Sequence, residues 1–375
     1  MKQGTTVDGL PLELAVAGRH RSLARWEAMA RGELDGFLYA RNTPSDGVTK
    51  LEESIAGLEN AECGVAFTTG MAAISAVALT FLRPGKKVVV SDATYGGATH
   101  LFGTILPAWG VEVTMVSSTD ESALRDAIKR GCDLLYLESP SNPLLSIQDI
   151  QTLSGWAHDV DAMVAIDNTV ATPVNQQPLG LGADLVIHSA TKFLGGHADA
   201  MGGLVACTHS CAAQLRAHRD IYGACLDPMS AFLLSRGLRT LELRMERHNQ
   251  NAVALAAYLE EHPAVRSVYH PSLPSNHGHE LAKAQMSGFG ALLSFELEAD
   301  VRMVPATLER FELAQLASTL GSVDTLLGTP STTSHVECSA QERAALGIPE
   351  GLVRCSVGIE PVECILQDFD QALGG

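Results

Sequence analysis

Lys192 has the surroundings that most invite chemistry. It follows Asp184-Leu-Val-Ile-His-Ser189-Ala-Thr191, a short apolar run with two hydroxyl residues at its end, and the glycine pair Gly195-Gly196 comes next. Removal from water disfavours an ammonium, so a lysine just past a buried strand has a lowered pKa and a neutral amine ready for Schiff-base formation. The Ser189 and Thr191 hydroxyls beside it suit a phosphate. Asp167 closes a second apolar run, Met163-Val-Ala-Ile, where a carboxylate either meets a ring nitrogen or caps the turn after its strand. Thr68-Thr69-Gly70-Met71 opens a helix, and the free N–H groups at such an end fit a phosphate as readily as an ordinary cap. Tyr95 precedes Gly96-Gly97, placing an aromatic ring to stack on a flat ligand and exchange protons, or to brace a turn. Arg354 offers the planar fork that grips carboxylates.

The elements that position these residues alternate. Apolar runs at 87–91, 111–116, 134–138, 163–167, 185–188 and 203–207 read as strands, with helical spacing at 70–82, 122–130 and 150–158 between them. Near-continuous apolar strands separated by helices predict a mostly parallel sheet covered on both faces. Ligands of such sheets bind at the carboxyl ends of the strands, where Asp167, Ser189 and Lys192 fall. Ahead of this pattern, the first ~35 residues are polar and helix-prone, without a strong strand signal, and read as an arm. A loop at 36–47 and a helix at 48–60 follow. Beyond Pro228 the pattern changes to one long helical run over 230–260, then strands at 265–269, 291–297 and 352–357 among helices. The predicted organisation is an arm over 1–46, a large sheet domain over 47–235 and a smaller α/β domain over 236–375.

Composition narrows the function classes. A hydrophobic content of 46% with 18% charged residues describes a chain with a large core, and a net charge of −17 argues against nucleic acid or an anionic membrane as partner. The most apolar window, 71–82, is shorter than the ~20 residues that span a bilayer. No secretory signal is evident, and eight scattered cysteines suggest a reducing, cytoplasmic setting. Cys207-Thr-His209-Ser-Cys211 has no second Cys/His pair at finger spacing, so no metal is expected there.

Taken in order, these motifs resemble the Cys/Met-metabolism family of pyridoxal-phosphate-dependent enzymes, to which cystathionine γ-synthase, cystathionine γ-lyase and methionine γ-lyase belong. The matches run from about Leu38 to Phe369. The resemblance implies the aspartate-aminotransferase-like fold (fold type I), with pyridoxal 5'-phosphate bound to Lys192. Asp167, in Asp-Asn-Thr-x-x-Thr-Pro, is implied to pair with the pyridine nitrogen, and Tyr95 to stack on the ring and move protons. Gly70 and Met71 amides with the Ser189 and Thr191 hydroxyls are implied to hold the phosphate. Asn142, in Glu138-Ser-Pro-Ser-Asn142-Pro143, is implied to lie near the ring hydroxyl and the substrate. Arg354 with Thr319 corresponds to the substrate-carboxylate site. Tyr39 and Arg41 match a Tyr-x-Arg that reaches the neighbouring subunit's phosphate, which implies a homo-oligomer with shared sites, commonly a tetramer.

Two positions depart from the cystathionine-cleaving γ-lyases, where glutamates flank the distal amino group. Leu38 and Ser318 stand there instead, so a distal cation would lose charged hydrogen bonds on the order of 1–3 kcal/mol each. Gly97 replaces the cysteine of methionine γ-lyases, and the loop 41–49 differs from the family's pattern. The expected reaction is γ-elimination or γ-replacement on an L-amino acid with a small or neutral leaving group (thioether, O-acyl or halide), through a vinylglycine-type intermediate. β-Elimination on the same residues is the alternative, and a retired enzyme kept as a binding protein is the alternative of another class.

Overall fold

A computed structural model describes residues 5–7, 9–298, 300–336 and 338–374. Its centre is a seven-stranded sheet formed by β3 (Cys63–Phe67), β4 (Lys87–Ser91), β5 (Glu112–Val116), β6 (Leu134–Glu138), β7 (Met163–Asp167), β8 (Leu185–Ser189) and β9 (Gly203–Cys207), in the order β3-β9-β8-β7-β6-β4-β5. The pairs from β5 through β8 are parallel, and β9 runs antiparallel to both its neighbours.

Side-chain alternation explains why both faces are covered. Val89, Leu135, Leu137, Val164, Ile166 and Val186 enter one core cluster. Their neighbours Val88, Val90, Leu134, Tyr136, Ala165, Leu185 and Ile187 enter the other. Helices close each face, and their starts are fixed by side-chain caps: Thr69 accepts from Ala72 N at 3.0 Å, and Asp149 from Thr152 N at 2.9 Å.

A second sheet follows, ordered β10-β11-β14-β13-β12, from β10 (Val265–Tyr269), β11 (Leu292–Leu297), β12 (Gln315–Leu316), β13 (Leu326–Gly328) and β14 (Leu352–Ser356). Its buried Leu293, Phe295 and Val353 belong to the same cluster as Val164 and Ile166, so one apolar core runs between the two sheets.

Three details differ from the sequence reading. The arm carries a short antiparallel hairpin, β1 (Thr5–Val7) with β2 (Leu10–Leu12). Three-residue strands leave too little periodicity to read. The long helical run over 230–260 is two helices, Pro228–Leu238 and Leu241–Glu260, because Arg239 and Thr240 close the first by bonding back to Arg236 and Gly237. The antiparallel β3 was hidden by its shortness and its Cys-Gly start. Among the described residues no helix is long and apolar enough to cross a membrane, and the eight cysteines form no disulfide.

Candidate active site

The carboxyl ends of β6, β7 and β8 bring Glu138, Asp167 and Ser189 to one edge, with Glu138 and Asp167 directly paired in register. Two buried carboxyls side by side repel, and burial raises both: it pushes Asp167 up against two hydrogen bonds from Thr169, and it pushes Glu138 well up with the added charge of Asp167. Burial and the same two carboxyls hold the Tyr136 phenol well above its ordinary range. This corner calls for a cation, and a pyridine nitrogen holding a proton is one.

Glu138 also arranges its surroundings. Its Oε2 accepts from Tyr95 N at 2.7 Å and its Oε1 from Asn142 N at 3.0 Å. One carboxylate thereby fixes the backbone of the proposed ring-stacking tyrosine and of the asparagine. Tyr95 is 37% exposed, while Asn142 is buried with its Oδ1 lacking a partner.

The helix Gly70–Phe81 points its first N–H groups at the same edge. Gly70 has no room for a side chain, since a Cβ there would lie 2.7 Å from that of Ser189. The Ser189 hydroxyl therefore sits against the helix start. Met71 lies close by: a Cβ on Gly97 would meet its Sδ at 2.9 Å and the Tyr95 ring at 2.8 Å. The Thr191 hydroxyl exchanges hydrogen bonds with Gly202, whose N–H it receives at 3.1 Å.

Lys192 joins the two sheets. Its Nζ donates to Thr319 Oγ1 at 2.9 Å, and Arg354 donates to the Thr319 carbonyl at 2.6 Å. Burial, with the Arg354 charge adding to it, lowers the Lys192 amine to about 8. Burial likewise lowers Arg354 to about 10, and its Nε has no partner. A buried guanidinium with a donor to spare is suited to a carboxylate.

Gly321 makes this meeting possible. It has a φ of +79°, and a Cβ there would come within 2.5 Å of Phe193 N. We expect Gly321→Ala to be destabilised by about 1–3 kcal/mol and to part Thr319 from Lys192. Denaturation midpoints of the purified variant check this.

Sequence reasoning passed over one stripe of the helix Leu241–Glu260. Arg244, His248 and Asn251 are buried on it at helical spacing. Arg244 donates to Phe193 O at 2.7 Å and Leu194 O at 3.2 Å, just after Lys192. His248 meets Val357 O at 2.7 Å, and Asn251 donates to Gly358 O and Glu360 O at 2.9 Å each, just after β14. A polar residue on a buried stripe was the signal.

The arm residues are not drawn into this cluster. Arg41 lies over the Tyr39 ring at 5.9 Å and donates to Asp220 O, in the helix His209–Tyr222. Leu38 gives its carbonyl to Gly18 N at 2.9 Å. Ser318 is exposed beside Thr319. A cavity of about 650 Å3 lies elsewhere, lined by Gln148, Thr152, Val268 and Tyr269 among others, and none of the cluster residues forms its wall.

The residues present fit pyridoxal phosphate. A lowered lysine amine, two buried carboxyls needing a cation, an unpartnered amide oxygen and a helix start with an adjacent hydroxyl meet its aldehyde, pyridine, hydroxyl and phosphate groups.

Comparison with known proteins agrees. The model of the family described as Cys/Met metabolism PLP-dependent enzyme matches residues 10–374. The chain is 42% identical over 342 residues to the L-methionine gamma-lyase of Fusobacterium nucleatum subsp. nucleatum, covering 90% of this chain and 86% of that protein. It is 40% identical over 368 residues to the cystathionine beta-lyase of Coxiella burnetii, covering 97% and 94% respectively. The crystal structure of cystathionine gamma synthase from Xanthomonas oryzae pv. oryzae superposes with a TM-score of 0.92 at 37% identity, over 97% of this chain and 92% of that one. The chain thus belongs to the pyridoxal-phosphate-dependent enzymes of Cys/Met metabolism, with the fold of that family and pyridoxal phosphate as its cofactor.

Proposed function

We propose that the enzyme eliminates or replaces a small or neutral γ-substituent of an L-amino acid. The observation that carries this reading is Thr319, which binds the Lys192 amine through its hydroxyl and Arg354 through its carbonyl. A proton-moving amine and a carboxylate-binding guanidinium thereby flank one α-carbon position. Bound pyridoxal phosphate supplies the electron sink for charge developing at that carbon.

Arg354 and Thr319 receive the substrate carboxylate. Lys192 takes the proton from Cα, and Lys192 or Tyr95 carries protons among Cα, Cβ and the leaving group. Asp167 faces the pyridine nitrogen, Asn142 lies near the ring hydroxyl, and Gly70, Met71, Ser189 and Thr191 hold the phosphate. Leu38 and Ser318 border the distal end of the substrate, in place of the glutamates that would favour a charged group there.

Tyr39 and Arg41 complete the site of a second copy, and the arm over 1–46 carries them there. Exposed apolar side chains along the arm support this, with Leu14 64%, Val16 60%, Leu23 65% and Trp26 51% accessible. The site-bearing unit is 47–235, the smaller one 236–375, the assembly is a dimer or tetramer, and the setting is cytoplasmic.

The γ assignment draws on the γ-lyase and γ-synthase relatives. The Coxiella burnetii β-lyase, at 40% identity, supports β-elimination as the second reading. Incubation with cystathionine decides between them: γ-cleavage releases 2-oxobutanoate and β-cleavage pyruvate. We expect 2-oxobutanoate from cystathionine and faster turnover of substrates with uncharged γ-groups. Pyruvate as the sole keto acid would overturn the γ reading.

A further inference from the structure

The glycine pair after Lys192 makes room for a residue far along the chain. Lys192 stands in a tight turn whose N–H groups close on nearby carbonyls: Lys192 N donates to Ser189 O at 3.1 Å, Gly195 N to Ala190 O at 2.9 Å and Gly196 N to Lys192 O at 2.8 Å. The carbonyls of Phe193 and Leu194, both buried residues, are left for a side chain to satisfy. Arg244, itself 4% exposed, does so. Its guanidinium donates to Phe193 O at 2.7 Å, Leu194 O at 3.2 Å and Gly237 O at 2.8 Å, and its Nε to Thr240 Oγ1 at 3.2 Å. Gly196 admits it: at a φ of +74°, a Cβ there would lie 2.0 Å from Arg244 Nη1.

All four of these bonds end on neutral oxygens. A buried cation so placed costs more than an apolar side chain of its size, so cohesion alone does not account for it. A planar fork with five donors can hold carbonyls of the turn and of Gly237 at once, which a single ammonium cannot. The turn is also stitched to the segment that receives the amine. Val323 N donates to Gly196 O at 3.0 Å, and a Cβ on Gly321 would meet Phe193 N at 2.5 Å. Both residues lie just beyond Thr319, whose Oγ1 accepts Lys192 Nζ. Lysine carries its amine on a flexible four-carbon stem, so its reach is set only if the backbone beneath it is fixed.

We propose that Arg244 is a positioning residue for Lys192: its guanidinium fixes the turn 193–196 from behind and so keeps the amine on Thr319, in reach of the substrate's α-proton. Burial lowers Arg244 to about 10, which leaves it charged at neutral pH. The inference rests on Lys192 being the proton-moving amine.

Two substitutions test it. Arg244→Lys keeps the charge and Arg244→Met removes it, and neither spans all of these oxygens. In the apoprotein, acetic anhydride labelling across pH, read by mass spectrometry of the Lys192 peptide, gives the midpoint of that amine. We expect the midpoint to rise from about 8 towards the ordinary lysine range in both variants. In the loaded enzymes kcat should fall roughly ten- to a hundredfold, the scale of a misplacement of about 1 Å. KM should change far less, because Arg354 is held by its own strand, β14. With an α-deuterated amino acid the isotope effect on kcat should rise, since removal of the α-proton is the step that slows. A native midpoint and a native isotope effect in both variants, with only the melting temperature altered, would overturn the proposal and leave Arg244 serving the fold alone. A raised midpoint with native kcat would instead overturn Lys192 as the proton carrier. Should Arg244→Met fail to fold, Arg244→Lys decides alone.

Discussion

Lys192→Ala should retain the fold and lose turnover by roughly 10⁴-fold, the upper range for a positioned acid–base group. The reason lies in where the amine sits. Among the described residues no other lysine is placed at the carboxyl edge of the large sheet by its hydrogen bonds: Lys86 pairs with Asp133 at the opposite ends of the strands, and Lys283 pairs with Glu280. Steady-state assays across a panel of γ-substituted amino acids measure the loss. Loss of the visible absorbance of lysine-bound cofactor should accompany it, and intact turnover in the variant would refute the role. The apoprotein offers an independent readout. Lys192 is lowered from 10.5 to about 8 by burial. Between those values the unfolded chain binds the proton and the folded chain does not, so stability rises with pH through that window. Below it both states are protonated and the full cost of the buried ammonium is present. Lys192→Met should abolish this slope and stabilise the apoprotein at neutral pH, by at most about 3 kcal/mol.

The second large effect concerns Arg354. Arg354→Ala should reduce kcat/KM by roughly a hundredfold or more, since hydrogen bonds to charged groups contribute about 1.5–3 kcal/mol each and a factor of ten is about 1.4 kcal/mol. The loss should appear mainly in KM, because the carboxylate is bound alike before and during reaction. Arg354→Lys should recover little. An ammonium cannot both hold the Thr319 carbonyl and present the spare planar donor that Nε provides. Equal KM values for the amino acid in native and alanine forms would show that the carboxylate docks elsewhere.

How much of this was legible in the sequence depends on what carries each feature. The strands of the large sheet announce themselves because both faces are buried, which leaves runs such as Val88-Val89-Val90 and Leu134-Leu135 with no polar break. Lys192, Asp167 and Tyr95 follow from strand ends and glycine turns, which are local. What stays hidden is long-range pairing. Nothing near Glu59 announces that His188 lies 2.5 Å away, and nothing near Arg244 announces the carbonyls of Phe193 and Leu194. The role of Glu138 was equally invisible, since its bonds to Tyr95 N and Asn142 N need the fold to exist first. The hairpin at the start of the arm was missed because three-residue strands fall below any periodic signal.

The stripe of Arg244, His248 and Asn251 has a bearing on how this chain can be recombined with its relatives. One helix sets the spacing between the loop that follows Lys192 and the loop that leaves β14, by hydrogen bonds to carbonyl oxygens at both ends. A hybrid joined between 197 and 241 takes its lysine loop from one parent and its measuring rod from the other. It inherits a working amine and a working guanidinium whose separation no parent has selected. Crossovers placed before β8 or after Glu360 keep rod and both loops together, and these are the seams along which the site can be exchanged whole.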